Sequence, residues 1–221
     1  MAIRQNEIRK VIADHVGISQ VKLAWSLLFA VMVAVLYFGA VGFLDATYPN
    51  PVHPDDLVLD ILPEMRLFIA IGEIVSAAQG LLTVYGLARN RFQDLPRFIF
   101  QLGLMFALRS VAIVLTPLAQ IQNPAENFSP DHWIAQSMYK GMFFSGHTGS
   151  AFTQFFFEKQ RQLRRIHLVL ACMQMFSLLA SHSHYSIDIF AAFFVAYFVT
   201  HLEFKRLVPA DWRDISWAPW S

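Results

Sequence analysis

The sequence predicts an all-α integral membrane protein, a bundle of six transmembrane helices with both termini cytoplasmic. Three observations carry that expectation. The chain of 221 residues is 56% apolar and only 15% charged, against the ~25% charged residues of ordinary soluble domains. Its apolar residues gather into runs near or above the ~17 residues that a spanning helix requires. The linkers between these runs alternate between basic and acidic, as they do when short basic loops stay in the cytoplasm.

The first run, Leu23 to Leu44, contains no charged residue. It is too long for a signal-peptide core, follows an N-terminal segment and lacks a small-residue cleavage site, so it reads as a retained span. Next come Leu67 to Ala88, interrupted by Glu73, and Phe98 to Leu118, interrupted by Arg109. Three shorter runs follow: Met142 to Phe157, Ile166 to Ala180 and Tyr185 to Leu202. Ahead of the first span, Ile8, Val11, Ile12 and Val16 recur at helical spacing among polar residues, the pattern of an amphipathic helix on the membrane surface. The expected organisation is therefore a cytoplasmic amphipathic segment (1–22), a six-span membrane domain (23–204) and a Trp-containing cytoplasmic tail (205–221).

Charge sets the orientation. Of the 17 lysines and arginines, all but Arg66, Arg109 and Lys140 lie in the termini or in the linkers after the second and fourth runs. The opposite linkers hold Asp45, Asp55, Asp56, Asp60, Glu64, Glu126 and Asp131, and are punctuated by Pro49, Pro51, Pro54, Pro63, Pro124 and Pro130. Trp133 and Tyr139 suit anchors for the second of these linkers, and Trp212, Trp217 and Trp220 suit anchors for the tail. A net charge of +1 gives no reason to expect a nucleic-acid partner. The single cysteine, Cys172, excludes an intrachain disulfide.

This topology brings two polar segments to one membrane face. Ser145-Gly146-His147-Thr148 opens the fourth run, and His184-Tyr185-Ser186-Ile187-Asp188 opens the sixth. Residues four apart stack on a helix, so Asp188 can hold one nitrogen of His184 and leave the other free for nucleophilic attack. His147 suits the proton transfers of a general acid. A helix start carrying Ser145, Gly146 and Thr148 offers N–H groups and hydroxyls to a phosphate. Together these are the minimal equipment for covalent phosphoryl chemistry.

These residues resemble a known family. Ser-Gly-His-Thr followed by His-Tyr-Ser-x-Asp, on six spans, looks like the sphingomyelin synthase branch of the phosphatidic acid phosphatase type 2 superfamily. Pro54-Asp55-Asp56-Leu57 with Asp60 and Pro63 resembles that family's Pro-Asp motif, and Gly103, Arg109 and Thr116-Pro117 resemble the motif of its third span. The resemblance implies a phosphohistidine on His184, orientation of that ring by Asp188 and proton transfer by His147. It implies no metal or other cofactor. The partners it implies are a phospholipid donor and a lipid alcohol, or water, as acceptor.

Two departures from the family bear on the substrate. The phosphatases' Lys-x6-Arg-Pro motif is absent, and the position six before His184 is Leu178 rather than arginine. The synthases' Cys-Gly-Asp reads Tyr139-Lys140-Gly141 here, so Lys140 and Arg109 are the candidates to supply the phosphate's cation. Tyr185, inside the second motif, joins Ser145, Gly146 and Thr148 among the expected substrate-binding residues.

The expected function is transfer of a phospho-head group to a lipid alcohol. A phosphatase or phospholipase C that uses water with the same triad is the alternative, and a non-enzymatic transporter or lipid-binding protein is the rival from another class. Short loops favour a bacterial inner membrane with a periplasm-facing site over a Golgi or reticulum membrane.

Glu73 and Arg109 are charges inside apolar runs, at depths of ~10 Å and ~13 Å at ~1.5 Å per residue. Either they pair, or Arg109 reaches the substrate phosphate. His182-x-His184 with Asp188 makes a poor metal site, because residues two apart point to different sides of a helix and zinc wants three or four ligands at recognisable spacing. His15, His53, His132, His167 and His201 read as surface or interfacial. Ser145 and Ser150 lack the Gly-x-Ser-x-Gly elbow of a serine hydrolase.

Overall fold

A computed structural model of the chain describes residues 20–48, 51–90, 92–119, 121 and 142–203. The N-terminal amphipathic segment, Lys140, most of the 120–141 linker and the tail from residue 204 lie outside the described residues, so the expectations placed there find no structural counterpart.

The described chain is mostly helical: α1 (Gln20–Thr47), α2 (Leu57–Ile61), α3 (Leu67–Asn90), α4 (Leu95–Leu115), α5 (Gly146–Phe157), α6 (Arg161–Ala180) and α7 (Ser186–His201). A short 3-10 turn, Phe92–Asp94, leads into α4. Each of the six apolar runs forms a helix. Among the described residues four stretches are long and apolar enough to cross a membrane: Gln20–Thr47, Leu67–Arg89, Phe92–Leu115 and Arg161–Ala180. The fourth and sixth runs yield shorter helices of 12 and 16 residues. At ~1.5 Å per residue these extend only about 18 and 24 Å, less than the ~30 Å hydrocarbon layer. The shortening has local causes. Ser145 caps α5 by accepting from the Thr148 N–H at 3.3 Å, and residues 181–185 form a polar turn ahead of α7.

Helix α1 lies along α4. Ser26 Oγ donates to the carbonyl of Pro96 at 2.8 Å, Phe29 meets Phe100 with ring centroids 5.0 Å apart, and Ala40, Val41 and Leu44 close on Ile113. Gly103 permits the approach, since a Cβ there would stand 3.1 Å from the Phe29 ring. From its other side α4 contributes Met105 to a core with Phe144, Ala192 and Val199. Helices α5, α6 and α7 share Ala151, Phe152, Ala171 and Ala196, and Phe152 packs edge-on against Phe193 at 4.9 Å. The far side of α1 leaves Val31, Met32 and Val35 exposed, as suits a surface that hydrocarbon covers.

A polar seam joins α3 to α5 and α6. Ser76 donates to Gln174 at 3.0 Å, Gln79 Nε2 to the Ala151 carbonyl at 2.8 Å, and Thr83 to Gln154 at 2.6 Å. Bonds of this kind keep polar side chains satisfied inside a membrane domain. One expectation is corrected here: His167 is neither surface nor interfacial but fully buried. It falls two turns into α6 on the face that meets α3, where its carbonyl accepts from Gln79 Nε2 at 3.4 Å.

Candidate active site

The starts of α5 and α7 lie side by side, because the Ser145 N–H donates to the Asp188 carbonyl at 3.1 Å. That bond brings the two polar segments together across 43 positions of sequence and two intervening helical elements. With Thr148 bonded to the Ser145 hydroxyl, the N–H groups of Gly146 and His147 fall in the first turn of α5, where a helix supplies no carbonyl partner.

His184 belongs to the turn before α7. Its Nδ1 lies 3.3 Å from Asp188 Oδ2, and the same oxygen accepts the Tyr185 N–H at 3.2 Å. A carboxylate can only accept, so Nδ1 carries the proton and Nε2 keeps its lone pair. Asp188 is fully buried and His184 nearly so. Burial holds the His184 imidazole below its ordinary value, while the hydrogen bond and charge of Asp188 oppose that shift.

Two further helices complete the cluster. Arg109 on α4 is buried, with its guanidinium 5.8 Å from the Tyr37 ring centroid. A Cβ built on Gly146 would stand 3.5 Å from Arg109 Cζ and Nε, so the guanidinium lies directly beside the start of α5. Glu73 on α3 places Oε1 3.7 Å from His147 Nε2. Thus the carboxylate meets His147, where sequence left a pair with Arg109 open. His147 also lies within electrostatic reach of both His184 and Arg109.

Of the expected site residues, Ser145, Gly146, His147, Thr148, Arg109, His184, Tyr185 and Asp188 gather at this one end of the bundle. Lys140 lies outside the described residues. His182 turns away, with Nε2 2.8 Å from the Leu62 carbonyl. Among the described residues no group of three or more His, Cys, Asp or Glu side chains is arranged to hold a metal ion. Sequence reasoning missed the partner of Glu73 and the contact of Asp56 with Ser186. For Asp56 the signal was its place in the Pro-Asp segment.

The family model described as PAP2 superfamily C-terminal matches residues 141–205, so a C-terminal domain of that lipid-phosphatase-like superfamily is present. The matched stretch contains both histidine motifs and excludes Asp56, Glu73 and Arg109. No curated protein matches the chain.

Proposed function

We propose that this multi-pass membrane protein is a phospholipid phosphotransferase that works through a phosphohistidine on His184. One arrangement carries the reading: a nearly buried histidine fixed through Nδ1 by Asp188, beside a helix start with Arg109 next to it. Nε2 of His184 attacks phosphorus, and the P–O bond to the diacylglycerol oxygen breaks. His147 gives its proton to that oxygen, and the N–H groups of Gly146 and His147 together with Arg109 hold the phosphoryl oxygens. In the second half, the acceptor hydroxyl returns a proton to His147 and attacks phosphorus, the P–N bond breaks, and His184 is restored. Ser145 and Thr148 shape the phosphate cradle, with Tyr185 alongside. Lys140 is a further candidate cation.

The preferred acceptor is a lipid alcohol such as ceramide or diacylglycerol, as in the sphingomyelin and ceramide-phosphoethanolamine synthases that the motifs resemble. Water as acceptor gives a lipid phosphate phosphatase or phospholipase C with the same first half. In this reading six helices make up the membrane bundle and the site faces the side opposite the basic linkers, the periplasm of a bacterial inner membrane. The test is a screen of purified protein on phospholipids and lipid phosphates, with and without a lipid alcohol, read by mass spectrometry. Turnover that disappears in folded His184→Ala and His147→Ala supports the proposal. Absence of turnover on every substrate, or turnover that survives His184→Ala, refutes it.

A further inference from the structure

Residues 51–66 cross the site end of the bundle as a strap held at four points. The Ala119 N–H donates to the Val52 carbonyl at 2.8 Å, and the Met65 N–H to the Ala180 carbonyl at 2.7 Å. His182 Nε2 meets the Leu62 carbonyl at 2.8 Å, and the Ser186 N–H donates to Asp56 Oδ2 at 2.6 Å. Three of these four bonds fall on residues 180–186, the short turn that carries His184. That turn contains His182 at φ 50°, a left-handed conformation that a non-glycine residue keeps only when its surroundings hold it there.

Asp56 has the central place in the strap. One carboxylate oxygen caps α2, accepting from the N–H of Val58 at 3.0 Å and of Leu59 at 3.4 Å. The other takes the N–H of Ser186, the first residue of α7. A helix cannot satisfy that N–H itself, and a negative charge is favoured beside it. The preceding N–H, of Tyr185, is held by Asp188. Two successive backbone donors immediately after His184 are therefore fixed by two carboxylates, Asp188 from within α7 and Asp56 from the strap.

We propose that Asp56 is a positioning residue for the phosphotransfer, fixing the start of α7 and with it the His184 ring against the start of α5. The proposal rests on the reading of His184 as nucleophile. Asp56 touches no reacting atom in it; it acts through the Ser186 N–H. An asparagine at position 56 keeps an acceptor oxygen and loses the charge, whereas alanine loses both.

The experiment compares Asp56→Ala, Asp56→Asn and Asp60→Asn in the full-length protein, each confirmed as folded by its elution in detergent. Two quantities are measured: kcat and KM for turnover, and the rate at which diethyl pyrocarbonate labels His184, read by peptide mass spectrometry. Asp56→Ala should lower kcat by about tenfold to a hundredfold, the scale of a misplacement of about 1 Å at a reacting centre, with KM little changed. It should also speed labelling of His184, and Asp56→Asn should restore part of both. Asp60, exposed on α2, should change neither. Wild-type kcat and labelling in Asp56→Ala overturn the proposal. So does an effect that Asp60→Asn reproduces. If alanine prevents folding, Asp56→Asn decides alone by the same two measurements. Labelling needs no turnover, so an inactive wild type would refute the functional reading while the positioning of His184 is still decided.

Discussion

Glu73 Oε1 lies 3.7 Å from His147 Nε2, so a carboxylate of α3 faces the imidazole that opens α5. The separation is an ion-pair distance rather than a short hydrogen bond. A carboxylate there can hold the His147 ring in place as a proton passes to a departing alkoxide. Glu73→Gln should therefore slow transfer from a natural phospholipid, within the roughly 10²–10⁴-fold scale of general acid catalysis. The defect should shrink on a phosphodiester with an acidic phenol as leaving group, which departs without a proton. Comparing kcat on the two substrates checks this, and an equal loss on both would remove Glu73 from the proton transfer.

Asp188 offers a second test. Its Oδ2 serves both His184 Nδ1 and the Tyr185 N–H. The amide of Asp188→Asn can keep both contacts through its oxygen, but it carries no charge. A phosphorylated imidazole held by Nδ1–H is cationic, so the missing charge is felt when the intermediate forms. The expected loss in kcat is on the order of 10²–10⁴-fold, by comparison with carboxylates that orient catalytic histidines elsewhere. Rapid-quench measurement of the phosphohistidine should show slower formation with the protein still folded.

The apolar runs made the helices legible in the sequence, because length and absence of charge decide whether a segment can be buried in hydrocarbon. The ends of the helices were less so. Met142 to Ser145 read as part of the fourth span, yet the Ser145 side chain starts α5 only at Gly146. The contact of His184 with Asp188 was expected from stacking of two residues on one helix, but His184 lies in the turn before α7 and its ring folds back on Asp188 across the helix start. Contacts between elements did not follow from any spacing. Glu73 was weighed only against Arg109, at a similar depth, and the rotation of α3 about its own axis, which turns the carboxylate to His147 instead, is set by packing. His167 was misread for the same reason: a single histidine near a basic linker looks interfacial until its helix face is known. Asp56 reaches Ser186 across 130 positions; its place in the Pro-Asp segment marked the residue, but nothing in one sequence marks its partner.

Two glycines of α5 should fail differently. A Cβ at Gly146 meets Arg109 and Phe106 at 3.5 Å, ordinary contact distance. Gly146→Ala should therefore fold, but its methyl occupies the space between the helix start and the guanidinium where the phosphate is proposed to sit. A raised KM with an unchanged melting temperature is the expected result. A Cβ at Gly149 would lie 2.9 Å from Met105 Sδ, so α5 or the thioether has to move. Gly149→Ala should lower stability by about 1–3 kcal/mol, the usual cost of overpacking, visible as a lower melting temperature in detergent.

The depressed affinity of His184 for protons carries a stability consequence with a definite sign. Burial is the main cause, opposed by the hydrogen bond and charge of Asp188, and the ordinary value is 6.5. Below that pH the unfolded chain binds a proton that the folded chain still refuses, so acid favours unfolding. Stability from this group is complete above 6.5, declines as the pH falls from there to the folded value, and then levels off. Melting temperatures of wild type and His184→Gln across the acid range check this: the wild type should lose stability more steeply below pH 6.5. Parallel curves would show that another group governs the decline.

Arg109 and Glu73 can be separated by a double-mutant cycle. Glu73 meets His147, while the Arg109 guanidinium packs beside Gly146 and the Tyr37 ring. Were the two a structural ion pair, each single replacement would leave the other charge unpaired within an apolar span, and removing both would recover part of the loss. With the carboxylate on the proton-transfer histidine and the guanidinium on the phosphate, their losses arise in separate interactions, and nothing is recovered. Arg109→Leu should raise KM and lower kcat if, as proposed, the cation binds the phosphate in the ground state and its developing charge in the transition state. Arg109→Leu/Glu73→Gln should be at least as impaired as either single variant. Measured kcat/KM for the four proteins tests this, and recovery in the double variant would return the pair to a structural role.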